Sequence, residues 1–443
     1  MMAPMTAPHL HAGALALLVL LLTTPRRATT SQVSTAVCED DWGCSLGGRC
    51  TPAGQCECDP GFEGQTCGRL AFRPAPTVGH AFRPGHGFTT WGGSPIQADN
   101  HSMYYLFASV QINGTLATYP NTSVIVTATS ASPAGPYHWD RKTVTIRARR
   151  PAGVWDKRAV TNPVVVRLRE GAGFVLFYVE QRSNTTDPYG TTGYSAIMAA
   201  FATSLDGPWE ARAEPVLKPS ASPGSWDNGV VCNPAAHVHA DNSITLAYRW
   251  YWENNGLGFA WAPSWRGAYQ RLYGGSGLFT ERPTLEDPFL FMTPRGAHVL
   301  MHYWRADNCT APGCAFVGNH AFASEFPRPN SGGALFPNHA DTEFSLAPNR
   351  GEAAGGYPLE VAFRNGSTAT FSHREEPKML LEWSESAGEY VPTHLFNVVI
   401  EKQMAPEDGW QHLDSYIFAQ PLAGNMQPPP PAAVDTVGAN NSV

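Results

Sequence analysis

The chain is short of charge, and past its first two dozen residues it has no long apolar run. Charged residues make up 15% of its 443 residues, against roughly a quarter in ordinary globular proteins. The balance is acidic, 30 Lys and Arg against 37 Asp and Glu. With no basic stripe, the electrostatic footprint of a nucleic-acid binder is missing. The longest apolar run, Ala14–Leu22, is too short to cross a bilayer and suits the h-region of a signal peptide. Residues 1–30 are therefore expected to be cleaved, leaving a secreted, extracellular chain without a membrane span. Arg26 and Arg27 behind the run leave a signal-anchor reading open. No GxSxG, HExxH, P-loop or glycine-rich dinucleotide motif occurs, which argues against those hydrolase and nucleotide-binding classes.

Turn formers and aromatics, by contrast, are abundant: 42 Gly, 38 Pro, 13 Trp, 15 Tyr and 21 Phe. That composition predicts an all-β fold with a large core. Six of the nine cysteines crowd into one short stretch, at Cys38, Cys44, Cys50, Cys56, Cys58 and Cys67. A segment of that size needs cross-links to hold together, and such density needs an oxidising compartment. Zinc is the competing reading, but the closest pair is Cys56-Glu57-Cys58 rather than CxxC. Spacing alone leaves fifteen connectivities open. Cys309 and Cys314 bracket a short TAPG loop and are expected to pair, leaving Cys232 as a buried thiol. Sequons at Asn100, Asn113, Asn121, Asn184, Asn308, Asn365 and Asn440 suit the same compartment.

The CxC and the closing GFEGQTC (Gly61–Cys67) resemble an EGF-like domain, placed at 34–68. That resemblance implies the pairing Cys38–Cys50, Cys44–Cys56 and Cys58–Cys67.

From 70 to 421, strand-like runs repeat with a period. One unit is a polar residue, Pro, a strand, a turn and a second strand, beginning at Ser94-Pro95, Asn162-Pro163, Asn233-Pro234 and Asp287-Pro288. Behind each comes an S-x-x-G unit or its remnant, at Ser132, Ser204, Ser264 and Ser324, spaced 72, 60 and 60 residues apart. A period of this length with several strands per unit marks a propeller. A fifth blade is expected from TEFSLAP, LEVAFRN, TATFSHR and KMLLEW, between Thr342 and Trp383, closed by N-terminal strands. A two-sheet sandwich would not explain the S-x-x-G repeats. The fold class is therefore all-β, a five-bladed β-propeller behind a small disulfide-rich module. Residues 422–443 read as a Pro-rich disordered tail.

The blade pattern, with EDPFLF (Glu286–Phe291), LMHYW, REEPKML (Arg374–Leu380) and PTHLFN (Pro392–Asn397), resembles the propeller glycosidases of glycoside hydrolase families 43, 32 and 62. The resemblance implies inverting hydrolysis of a polysaccharide or glycan of arabinan or xylan type. It also implies a base and a pKa-tuning Asp from Asp-Pro in the first two blades and an acid from a Glu-x-Pro in the third. Such a pair is separated by roughly 6.5–9.5 Å. Here only Glu286 and Asp287 carry those spacings, both in one blade, and strand alternation would point them to opposite faces. Asp227 in WDNG, and Glu375 or Glu376, are the replacement carboxylates. Asn162, Asn233, His320, Trp91 and Trp226 are candidate sugar contacts, with Tyr248, Trp250 and Trp304 as further stacking faces.

Two functions follow. The chain is a secreted glycosidase-like enzyme using Glu286, Asp287 and Asp227, or an inactive carbohydrate-binding or recognition protein on the same fold. A monomer with a glycan partner is expected. No cofactor is expected, and no ligand cluster in the sequence singles out a metal, though a channel-bound cation would be compatible.

Overall fold

The computed structural model describes residues 37–76, 80–148, 157–183, 194–222, 225–250, 256–273, 278, 285–303, 318–329, 344–347, 356–386, 388–401 and 414–424. The signal-peptide segment, Trp304, the Cys309–Cys314 pair, the sequons at 184, 308 and 440 and the tail beyond Gly424 lie outside the described residues. No described helix is long and apolar enough to cross a membrane.

The disulfide module carries two small hairpins, β1 (Gly48–Cys50) with β2 (Cys56–Cys58) and β3 (Phe62–Glu63) with β4 (Arg69–Leu70). Its bridges are Cys38–Cys50, Cys44–Cys56 and Cys58–Cys67, the connectivity that the EGF resemblance implies.

Five antiparallel sheets follow. Blade 1 holds β5 (Phe88–Gln97), β6 (Tyr104–Ile112) and β7 (Ser123–Ser130). Blade 2 holds β8 (Lys157–Arg167), β9 (Phe174–Ser183), β10 (Tyr194–Ala202) and β11 (Glu210–Ala211). Blade 3 holds β12 (Val231–Val238), β13 (Ile244–Trp250), β14 (Gly256–Ala262) and β15 (Gln270–Arg271). Blade 4 holds β16 (Leu285–Thr293), β17 (Gly296–Tyr303), β18 (Gly318–Ala323) and β19 (Ser345–Leu346). A separate hairpin of β20 (Glu360–Ala362) and β21 (Thr368–Thr370) precedes blade 5, which holds β22 (His373–Ser384), β23 (Glu389–Ile400) and β24 (Tyr416–Pro421).

The innermost strands touch in sequence, β5 to β8, β12, β16, β22 and back to β5, which closes the ring. Closure is completed by the N-terminal segment, where Phe82 bridges Ile417 of the last strand. One apolar cluster fills each gap between neighbouring blades, because both faces of every blade must be covered. The S-x-x-G units are tight turns that follow the third strand of blades 1, 2 and 3: the N–H of Gly135, Gly207 and Gly267 donates to the carbonyl of Ser132, Ser204 and Ser264.

Blade 5 departs from the expectation. TEFSLAP supplies β19, the outer strand of blade 4, and LEVAFRN with TATFSHR forms the β20–β21 hairpin. Their short alternating runs fit an edge strand and a satellite hairpin as well as a blade; only KMLLEW lies wholly in β22, which TATFSHR enters at His373. The satellite hairpin packs through Val361 on Phe371, Val399 and Phe418.

The disulfide module is docked on blade 4. Arg295, at the β16–β17 turn, donates to Asp59 through Nη2 at 3.0 Å and to Asp41 through Nη1 at 2.7 Å. Phe62 lies against His298 and His320, and Trp42 meets Phe322 edge-on at 5.0 Å.

Candidate functional site

All five inner strands break register at the same depth. The breaks fall at Thr90/Gly93, Thr161/Val164, Cys232/Ala235, Glu286/Phe289 and Glu375/Lys378. Each is a β-bulge, an insertion that re-aims side chains and ends strict alternation. By register the first inserted residues are Trp91, Asn162, Asn233, Asp287 and Glu376. The last four have left-handed backbone, φ 50°, 46°, 54° and 51°, and each precedes a proline. Pro has no N–H to give a ladder, so it is tolerated at a bulge on an edge strand. In blade 1 the left-handed turn moves one residue on, to Gly92 at φ 77°. The repeat unit of blade 1 is therefore Trp91-Gly92, not Ser94-Pro95. Ser94 instead ties two blades, its Oγ accepting from the Val165 N–H at 3.1 Å.

These bulges meet on the propeller axis. Asn162 Nδ2 donates to Glu376 Oε1, and Asn233 Nδ2 donates to Asp287 Oδ1 and, at 3.5 Å, to Glu376 Oε1. The Glu376 N–H donates to Asp287 Oδ2 at 3.2 Å, and Lys378 Nζ to Glu376 Oε2 at 3.3 Å. A Cβ on Gly92 would lie 3.4 Å from the Glu376 carboxyl, so blade 1 reaches the same point.

Beside this ring stand the residues just before the bulges in blades 4 and 5, Glu286 and Glu375. Glu286 is ion-paired with Arg249, and its Oε1 is 3.1 Å from His302 Nδ1. His302 is also 3.7 Å from Asp287 and 3.9 Å from Glu375. Because the bulge breaks alternation, Glu286 and Asp287 face one cluster, and the expectation of opposite faces fails. Glu286 and Glu375 keep about a tenth of their side-chain surface in solvent, whereas Asp287 keeps 3% and Glu376 1%. The first pair is the more exposed of the two, and the second is the more deeply buried.

The environment pushes these acids apart. Burial opposes ionisation of Glu286, but Arg249 and His302 outweigh it and hold the carboxyl below its usual range. Burial together with the charges of Glu286 and Asp287 pushes Glu375 up to about 8, despite His302. Burial and Asp287 push Glu376 up to about 8, despite Lys378. Burial and Glu286 raise Asp287 as well. Burial disfavours charged His302, yet Glu375, Glu286 and Asp287 win and raise it to about 9.

Glu286, Asp287, His302 and Glu375 each offer a ligand atom within 4.8 Å of the others, a set that could hold a metal ion. Three carboxylates fit a hard divalent cation. Without one, Arg249, Lys378 and the His302 proton offset the four acids of the cluster.

Of the other residues singled out in the sequence, several stand elsewhere. Asp227 is buried off the axis, accepting from Arg271 Nε at 2.6 Å, Tyr248 Oη at 3.0 Å and Ser225 Oγ at 3.2 Å. The WDNG turn tucks it under β13 and β15, where it joins those strands. Trp226 stacks on Tyr248 at 5.7 Å and packs into the core between blades 2 and 3, and Trp250 is buried beside it. His320 stacks on His298 and meets the Gly68 carbonyl at 3.0 Å, so it faces the disulfide module. Cys232 is a buried free thiol, raised to about 12 chiefly by burial. The sequence reading missed His302, Arg249 and Lys378. His302 reaches Glu286 through the bulge, which makes it the register partner of Glu286 across the β16–β17 hairpin, so a plain count along the hairpin does not find it.

No protein-family model matches this chain, and no curated protein does. Solved structures do. Zg3597, a family 117 glycoside hydrolase of the marine bacterium Zobellia galactanivorans, is 15% identical with a TM-score of 0.52, over 81% of this chain and 91% of its own. The catalytic domain of the Coprinopsis cinerea GH62 alpha-L-arabinofuranosidase is 11% identical with a TM-score of 0.52, over 80% of this chain and 98% of its own. The fold is a five-bladed β-propeller of the same architecture as these two structures. At these identities the likeness is one of architecture alone.

Proposed function

We propose that the protein is a secreted glycoside hydrolase acting on a glycan of arabinan or xylan type, with Glu375 as acid and Glu286 as its anionic partner. The observation that carries this reading is the split between the two more exposed carboxyls of the axial cluster. One is held ionised by Arg249, and the other keeps its proton to about 8. Two titratable groups driven apart in this way divide the roles of acid and base. One oxygen of each approaches within 4.8 Å of one of the other, a proximity that favours the retaining arrangement, whose carboxyl groups stand roughly 5–5.5 Å apart. Glu375 gives its proton to the glycosidic oxygen as the bond to the anomeric carbon breaks, and Glu286 bonds to that carbon. Water then displaces Glu286, losing a proton to Glu375, and the anomeric configuration is retained. Asp287, Glu376 and His302 set the charge around both. The N-terminal module is read as EGF-like, and its disulfides and the sequons support secretion.

Turnover of 4-nitrophenyl α-L-arabinofuranoside, 4-nitrophenyl β-D-xyloside, arabinan and xylan tests this. Glu286→Gln and Glu375→Gln should each lower kcat at least a thousandfold, and proton NMR of the first product should show retention. Full activity in either variant would sink its role. Asn162 and Asn233 at two ring positions, each committed to a carboxylate, favour a second reading, a glycan-binding protein without turnover. Retention on arabinan or xylan affinity gels with no hydrolysis would select it.

A further inference from the structure

At the far ends of the inner strands, away from the bulge ring, three blades meet in a half-exposed aromatic patch. The turn after β5 carries Asn100 and His101, both exposed. His101 stacks on Trp383 of blade 5, centroids 5.9 Å apart and planes at 22°, and Trp383 meets Tyr390 at 5.4 Å. From blade 2, the Arg167 guanidinium lies 4.7 Å from the Tyr390 ring centre. The turn is held against blade 5 by Gln97, whose Oε1 accepts from the Trp383 N–H at 2.8 Å while its Nε2 donates to the His101 carbonyl at 3.4 Å. Trp383 and Tyr390 keep part of their rings in solvent.

Asn100 directly precedes His101 on this exposed turn and belongs to an N-x-S sequon. Its Oδ1 accepts from the Ser102 N–H at 3.1 Å and the Ser102 hydroxyl at 2.9 Å, which fixes the amide. Its Nδ2 has no hydrogen-bond partner among the described residues. Asn365 supplies a matched control. It is exposed on the β20–β21 turn, with the same two bonds from Ser367 at 3.0 and 2.7 Å, but His101, Trp383 and Tyr390 belong to another part of the fold.

We propose that Asn100 carries an N-linked glycan whose first N-acetylglucosamine lies against the Trp383–Tyr390 ring pair. The occupant is fixed by adjacency: the sequon sits next to His101, which already contacts Trp383, so the first sugar is delivered to the patch by the chain itself. An amphipathic aromatic surface of this kind offers apolar faces to the C–H side of a pyranose and leaves its hydroxyls to solvent. In the linkage step, Asn100 Nδ2 loses one proton and bonds to C1 of the sugar. The diphosphate of a polyprenyl-diphosphate oligosaccharide donor leaves with the electron pair. The inference rests on the secreted reading above, though not on catalysis.

The full chain is expressed in a glycosylating secretory host, its peptides are mapped for glycan occupancy, and melting is compared with and without enzymatic removal of the glycans. Asn100 should be occupied. Asn100→Gln and Ser102→Ala, which delete the sequon from either end, should each lower Tm by about 1–3 °C, whereas Asn365→Gln should leave it unmoved. In Trp383→Ala, deglycosylation should no longer change Tm beyond the Asn365 control. An occupied Asn365 beside an unmodified Asn100 would overturn the proposal while leaving secretion standing. An occupied Asn100 whose removal leaves Tm unchanged would overturn the ring contact. If no sequon is occupied, the proposal fails together with the secreted reading.

Discussion

Raising the pH from 6.5 to 8 should destabilise the protein, and Glu375→Gln should remove a definable share of that loss. Glu375 and Glu376 hold their protons to about 8 when folded, against 4.5 for a free glutamate. The folded chain thus keeps protons that the unfolded chain releases, so stability falls as pH rises through the interval. His302, raised to about 9 from 6.5, acts in the same direction above pH 6.5. Other buried histidines act oppositely but in another window. Burial pushes His237 down to about 3, and His239 and His320 to about 4, so they add stability mainly as pH climbs toward 6.5. Above pH 6.5 each of these histidines still adds about 0.4 kcal/mol as the unfolded imidazole finishes losing its proton, so the axial cluster dominates the interval from 6.5 to 8 without being alone in it. One pKa unit corresponds to about 1.4 kcal/mol, so each group shifted across the whole window costs about 2 kcal/mol. Urea unfolding at half-unit pH steps and constant ionic strength measures the fall. Wild type should lose several kcal/mol, and Glu375→Gln about 2 kcal/mol less. A variant with the wild-type slope, or a wild type more stable at pH 8 than at 6.5, would refute a protonated Glu375.

Three further outcomes follow from the geometry. Arg249→Met leaves Glu286 buried without its guanidinium, and breaking such a pair costs about 3–5 kcal/mol, read by chemical denaturation. Asn162→Asp replaces the donor on Glu376 with a second acid. It should cost about 2 kcal/mol at pH 8 and much less at pH 5, where a shared proton is retained; an equal penalty at both values would exclude charge as the cause. Arg295→Ala removes the hydrogen bonds that dock Asp41 and Asp59, and should cost about 2 kcal/mol. Hydrogen exchange should then show faster opening in residues 38–67, with blade 2 unaffected.

Periodicity made the propeller legible, because each blade repeats an edge strand with a bulge and a turn with fixed chemistry. The S-x-x-G spacing and the polar-Pro dipeptides are both direct requirements of backbone geometry. The site was harder to read, and the reason is the same bulge. Counting outward from the β16–β17 turn without an insertion sets Glu286 opposite Tyr303 and sends its neighbour Asp287 to the other face. The insertion at Asp287-Pro288 brings His302 opposite Glu286 and both acids into one cluster. The place of Asp227 was hard to read for a related reason. An Asp in a WDNG turn is equally suited to face a channel or to be locked by an arginine, and only the fold brings Arg271 to it. Blade 1 shows the limit of pattern matching, since Ser94-Pro95 has the right composition but lies beyond the register break.

The bulge also separates residues that the backbone demands from residues that chemistry demands. Left-handed φ favours Asn and Asp, and the following Pro suits a position with no ladder partner. Asn162-Pro163, Asn233-Pro234 and Asp287-Pro288 are thus explained by conformation before any function is considered. Glu376 is less at home there, and its bonds from Asn162, Asn233 and Lys378 offset a backbone cost of about 1–2 kcal/mol. One residue earlier the backbone makes no such demand. Blades 1, 2 and 3 place Thr90, Thr161 and Cys232 there, and only blades 4 and 5 place acids, Glu286 and Glu375. Conformation does not call for either glutamate, and both are costly to bury. They are also the two acids of the cluster with the larger share of solvent. The chemical role proposed above would account for all three features together, which backbone conformation and packing do not require.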